Sequence, residues 1–184
     1  MAAAAKLGKD PVDLALDLAL ANDLRARFRM AVMNFDEKEV AELITDPNTI
    51  IALSDAGAHA SQLCDACYST YLLGHWVRDR KVFTVEEAVH NLTQRPAEMF
   101  GITDRGLLAA GRPADIVVFD PKTVGPGPLK RVHDMPAGAD RLVSEASGID
   151  AVIVNGTLIR RDNKDVFAAN DRLPGRLLRG GKAA

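Results

Sequence analysis

Two short apolar runs on either side of a capped helix place the tightest constraint on the fold. Residues 28–33 (FRMAVM) form the first run and residues 49–53 (TIIAL) the second. The second is rich in β-branched side chains, which suit a buried, pleated surface. Between the runs, Asp36 followed three residues later by Glu39 has the spacing of a capping box. The helix it opens is expected to reach about Ile44, and Asp46-Pro47-Asn48 reads as the turn after it. Strand, helix and strand within about 25 residues match the length of a crossover unit in a parallel sheet. Two parallel strands alone cannot satisfy their edges or cover both faces. The pattern therefore requires more strands, from a missing N-terminal portion or from a partner chain.

The flanking segments extend this α/β reading. Residues 11–25 have apolar positions near helical spacing (Leu14, Leu18, Leu20, Leu24), with Pro11 at the start. Residues 62–78 are expected to be largely helical, with Leu63, Ala66, Tyr71, Leu72 and Trp76 facing a core. Thr84-x-x-Glu87 is a second capping box, opening a helix over residues 85–93. Pro96 starts a further short helix and Gly101 ends it.

At Gly101 the texture changes to short strands and turns. Residues 115–119 (DIVVF) read as a strand, and residues 151–160 read as a hairpin turning at Asn155-Gly156, which suits a type I′ turn. The Gly- and Pro-rich residues 121–148 are expected to form a long ordered loop, and the tail from Leu173 to be mobile. The expected organisation is an α/β segment over residues 1–100, a β segment over residues 101–172 and a flexible tail over residues 173–184.

Composition narrows the class. The chain has 184 residues, 47% hydrophobic and 26% charged, the balance of a globular protein. A net charge of -2 and 5% aromatic content predict neither nucleic-acid binding nor attraction to an anionic membrane. No apolar run has the length of a transmembrane helix, and the start MAAAAKLGKD lacks the pattern of a secretory signal. With two cysteines, too few for a disulfide framework, the expectation is a cytoplasmic protein with reduced thiols.

The sharpest candidate for chemistry is Ser54-Asp55-Ala56-Gly57-Ala58-His59, directly after the second apolar run. Ligands of parallel α/β sheets and barrels bind beyond the C-terminal strand ends. A carboxylate there can bind a metal or take a proton from a metal-bound water. Asp55 can equally cap the following helix or shape the turn, and residue spacing leaves both readings open. His59 is a candidate ligand, acid or substrate contact, although a lone loop histidine is more often simply solvated. Cys64-x-x-Cys67 lacks the second pair of a structural zinc site and the helix-start βαβ context of a redox site, so buried structural cysteines are expected. His75, His90 and His133 have no spaced partner, and no phosphate-binding loop or nucleophile elbow is present.

Three segments together resemble one superfamily. They are Ser54–His59 with the preceding run, then Leu92-Thr93-Gln94-Arg95-Pro96-Ala97-Glu98-Met99-Phe100-Gly101, then residues 104–120 (DRGLLAAGRPADIVVFD). Their order and spacing resemble the end of an amidohydrolase barrel and the start of its β-sandwich, and Val154-Asn155-Gly156 resembles the sandwich's closing hairpin. Residues 53–78 are similar to the N-acyl-D-amino-acid deacylases, the D-aminoacylase branch. The resemblance runs from about residue 8 to residue 161 and implies a fragment of a TIM barrel whose seventh and eighth strands are FRMAVM and TIIAL. It implies that Asp55 contacts the metal or its water and moves protons as base and then acid. Ser54 and His59 would then contact an N-acyl amino acid substrate. It implies zinc as the complete enzyme's cofactor, although the family's His-x-His and middle-strand ligands are absent from this sequence. The chain alone is therefore not expected to hold the metal. The competing expectation is an inactive, truncated or interaction domain that self-associates or needs a partner chain.

Overall fold

The computed structural model describes residues 2–28, 33–52, 57–168 and 170–183. They form two compact units, residues 1–40 and residues 41–184.

In the first unit, α1 (Ala2–Lys6) precedes α2 (Pro11–Ala21). The Asp10 side chain caps α2 by accepting from the Val12 and Asp13 amides at 2.8 and 3.4 Å, and Pro11 occupies a position where its missing N–H costs nothing. The helix ends four residues short of the expected Arg25 because Asp23 and Leu24 take left-handed φ values of 51° and 60°. No α2 residue is buried: Leu14 is half-buried, while Leu16 and Leu20 are 58% and 68% exposed. The unit boundary falls inside α3 (Glu37–Thr45), whose start is capped as expected, with Asp36 accepting from the Lys38 and Glu39 amides at 2.9 and 3.2 Å.

The expected parallel strand pair is not formed among the described residues. Residues 29–32 and 53–56, which hold most of FRMAVM and the end of TIIAL, lie outside them, and residues 49–52 are irregular. A β-branched run becomes a strand only when a neighbour takes up its N–H and C=O groups. No strand among the described residues pairs with residues 49–52.

The second unit has its core where a helical layer meets the first strands. Helix α4 (Tyr68–Tyr71) continues into a π-helix, Leu72–Asp79, then come α5 (Val85–Leu92) and α6 (Gln94–Met99). The Thr84/Glu87 capping box is present in both directions, at 2.8 and 3.2 Å. Leu72, Leu73, Trp76, Ala88, Ala97 and Val124 are buried, whereas Leu63 and Tyr71 are 40% and 41% exposed and Ala66 is exposed. Residues 62–67 are turn and irregular backbone rather than helix, so the helical segment starts later than its apolar residues suggest. The π-helix lies close to the following strand region: a Cβ on Gly74 would come within 2.8 Å of the Val124 carbonyl, which also accepts from Arg78 Nη1 at 2.5 Å.

A four-stranded antiparallel sheet carries the rest, with β1 (Ile116–Phe119) beside β6 (Ile149–Val154), then β7 (Thr157–Arg161) and β8 (Lys164–Asp165). The β6–β7 turn has Asn155 and Gly156 at φ 46° and 78°, both left-handed as a type I′ turn requires. Residues 121–148 are not a plain loop. They build a two-stranded arm from β2 (Gly125–Pro126) paired with β5 (Ala146–Ser147) and β3 (Lys130–Val132) paired with β4 (Arg141–Val143). Glycine and proline content concealed this arm because its short strands gain their order from cross-strand bonds. The expected mobile tail instead includes a hairpin, β9 (Leu178–Arg179) with β10 (Lys182–Ala183), and the Thr103 amide donates to the Gly181 carbonyl at 2.6 Å. Helical and strand content together fit the α/β class, the sheets are open, and no helix among the described residues is long and apolar enough to cross a membrane.

Candidate functional site

Ser54 and Asp55 lie outside the described residues. The segment that follows them is described, and it carries His59 on a tight turn. His59 is exposed at a left-handed φ of 47°, and its carbonyl accepts from the Gln62 and Leu63 amides at 2.7 and 3.0 Å. A non-glycine residue at positive φ is uncommon, and local hydrogen bonds of this kind are what hold one there.

The arm anchors this segment. The Leu142 amide of β4 donates to the Ala60 carbonyl at 2.8 Å, and Arg131 Nη1 donates to the Ser61 carbonyl at 3.0 Å. The same nitrogen pairs with Asp140, and both side chains are more than two-thirds covered. Across the arm's tip, Arg141 forms a fork with Asp134, at 2.7 Å on each branch. Those bonds hold the Asp134 carboxyl below its usual value of 3.8. Nothing in the sequence periodicity marks Arg131 or Leu142, because each acts through a backbone carbonyl about 70 or 80 positions away in the chain.

Cys64 and Cys67 are free, half-buried thiols at the end of the same segment, ahead of α4 rather than within a helix. Burial, and secondarily the nearby Cys64, push the Cys67 thiol up from 9.0, partly offset by hydrogen bonding that includes the Ser144 side chain. A thiol shifted upward stays protonated at neutral pH and is a poor metal ligand or nucleophile. The other histidines are dispersed. His75 stacks on Tyr71, with ring centroids 4.7 Å apart, and meets Trp76 edge-on, while His90 and His133 are exposed. Among the described residues, no group of three or more His, Cys, Asp or Glu side chains could hold a metal ion.

The charged residues of the 104–120 motif form a structural lock. Arg105, 14% exposed at its side chain, donates to Asp104, Asp115 and Asn155 at 2.8, 2.8 and 2.9 Å. The second Asp115 oxygen accepts the Asn155 amide at 2.7 Å, and Asn155 Nδ2 donates to the Pro174 carbonyl at 2.7 Å. The motif thus joins β1 to the β6–β7 turn.

The sequence model of the Amidohydrolase family matches residues 2–160 of this chain. The chain belongs to the amidohydrolase family. Within that family, this amidohydrolase chain is 34% identical over 155 residues to the D-aminoacylase of Alcaligenes xylosoxydans xylosoxydans, covering 83% of itself and 28% of that protein. It is 39% identical over 110 residues to the N-acyl-D-glutamate deacylase of the same organism, covering 60% of itself and 20% of that protein. The chain therefore spans less than a third of the length of either relative. A Lactobacillus johnsonii dihydroorotase matches over 56 residues at 46% identity, so part of the sequence is shared beyond the deacylases. A solved N-acyl-D-glutamate deacylase from Bordetella bronchiseptica, complexed with zinc and a phosphonate inhibitor, is 39% identical. It covers 49% of this chain and 17% of its own at a TM-score of 0.37, so the family assignment rests on sequence rather than on superposition.

Proposed function

We propose that this chain is the C-terminal portion of a zinc-dependent deacylase that hydrolyses the amide bond of N-acyl-D-amino acids, yielding a D-amino acid and a carboxylate. The observation that carries the reading is 34% identity across 83% of the chain to a D-aminoacylase. In this reading, residues 1–100 supply the last barrel strands and helices, and residues 101–172 supply part of the β-sandwich. Asp55 is the proton-transfer carboxylate and one contact to the metal, and Ser54 and His59 contact the substrate.

A catalytic zinc normally takes about three protein ligands. The described residues do not fit it: Cys64, Cys67, His59, His75, His90 and His133 do not converge. When bound, the metal would supply carbonyl polarisation and an acidified water, with its remaining ligands coming from outside this chain. The reading therefore expects the isolated chain to be inactive. A second reading is an inactive domain that self-associates or needs a partner chain, and the exposed apolar residues of α2 favour it.

Metal analysis and a deacylase assay test the proposal. The chain alone should bind well under one equivalent of zinc and show no turnover. Joined to an upstream amidohydrolase barrel portion, it should hydrolyse an N-acyl-D-amino acid, and Asp55→Asn should lower that rate by about a hundredfold or more, the scale of lost acid–base catalysis. Unchanged turnover in Asp55→Asn would remove Asp55 from the proton-transfer role. Failure of any joined form to turn over would favour the self-associating domain.

A further inference from the structure

Besides the exposed Lys130–Glu145 pair, the arm contains two ion pairs of different standing. Arg141–Asp134 braces the exposed tip, with both side chains at least 43% exposed. Arg131–Asp140 lies lower and more covered, and its guanidinium reaches beyond the arm to the Ser61 carbonyl. Arg131 stands opposite Leu142 in the β3–β4 register, and the Leu142 amide is bonded to the adjacent carbonyl, Ala60. One cross-strand pair thus grips two consecutive carbonyls of the segment that follows Asp55. Within the arm, the Ser144 hydroxyl donates to the Gly127 carbonyl at 2.9 Å.

We infer that Arg131 is a positioning residue: oriented by Asp140, it and the Leu142 amide clamp the 57–63 segment and set the conformation in which His59 is presented. Asp140 matters because an arginine with a free side chain would lose rotamer entropy on reaching Ser61, whereas one already held by a carboxylate loses less. What His59 then meets rests on the proposed deacylase reading. The clamp itself does not.

The 184-residue chain carries its own reporters, Cys64 and Cys67, at the far end of the clamped segment. Arg131→Ala, Arg131→Lys and Asp140→Asn are compared with the parent by amide hydrogen exchange and by maleimide labelling of the two thiols, with the β1–β6–β7–β8 sheet as internal reference. Arg131→Ala should raise exchange in residues 57–63 and the labelling rate by about tenfold, the effect of losing one charge-assisted hydrogen bond. The reference sheet should be unchanged. Arg131→Lys keeps one cationic donor without the planar fork and should recover part of the protection. If Arg131→Ala fails to fold, Asp140→Asn provides the reading, and it should loosen the same segment to a smaller degree. Unchanged exchange in residues 57–63, or an equal rise in the reference sheet, would overturn the inference. Neither readout needs turnover, so an inactive deacylase would count against the proposed function and leave the clamp standing.

Discussion

Asn155 shows how one side chain can serve backbone and network together. Its φ of 46° lies in the left-handed region, which asparagine tolerates better than most residues. Its amide group accepts from Arg105 and donates to the Pro174 carbonyl, while its backbone N–H is taken by Asp115. Asn155→Ala should therefore cost about 1–3 kcal/mol in urea unfolding, the range for leaving partly buried polar partners unmet. Asn155→Gly keeps the turn and loses only the side-chain bonds, so the difference between the two variants isolates the backbone contribution. A cost near zero for both would show that the Arg105 network does not hold the sheet. In the sequence, Asn155-Gly156 was legible as a turn because two-residue I′ turns have few alternatives. Its link to Arg105, 50 positions earlier, was not, because the pairing exists only once β1 and β6 lie side by side.

At the scale of elements, the arm formed by β2 to β5 has an acid-sensitive tip. Arg141 donates two hydrogen bonds to Asp134 and lowers its pKa below the ordinary 3.8. A carboxyl whose folded pKa is depressed contributes stability that is fully present above the unfolded value and lost as pH falls through the folded value. Amide protection around residues 133–141 should therefore stay level from neutral pH down to about pH 4 and fall below it. In Asp134→Asn that dependence should disappear. Loss of protection already near pH 6 would remove Asp134 as its cause. The helices fared better in the sequence than this arm did. Thr84/Glu87 and Pro11 are local signals, decided within one helical turn. The arm's strands are two or three residues long and are specified by partners across the hairpin, so local propensity could not reveal them.

For the whole molecule, the decisive feature is the exposed apolar face of α2 among the described residues of the first unit. Val12, Leu16 and Leu20 of α2, and Leu24 just beyond it, are all more than half exposed. Burying each would contribute about 1.5–3 kcal/mol, a sum comparable to the whole net stability of a small domain. A face of that size calls for a cover, either the remainder of a barrel or a second copy of the chain. By light scattering the isolated chain should be an oligomer or aggregate, and Leu16→Lys with Leu20→Lys should shift it toward monomer. A monodisperse parent monomer would show that α2 does not act as a docking face.

The sequence by itself determined the local and the ancestral: capped helix starts, the I′ hairpin, the break at Gly101 and membership of the amidohydrolase family. These depend on neighbours within a few residues or on motifs whose order and spacing survive in the chain. Tertiary structure decided which motif residues are structural and which segments meet. It bound Arg105, Asp115 and Asn155 into one lock, and it brought Arg131 and Leu142 onto the carbonyls beside His59. Contacts of this kind depend on backbone atoms brought together across 50 to 80 residues of chain, and a backbone carbonyl leaves no letter in the sequence to be read.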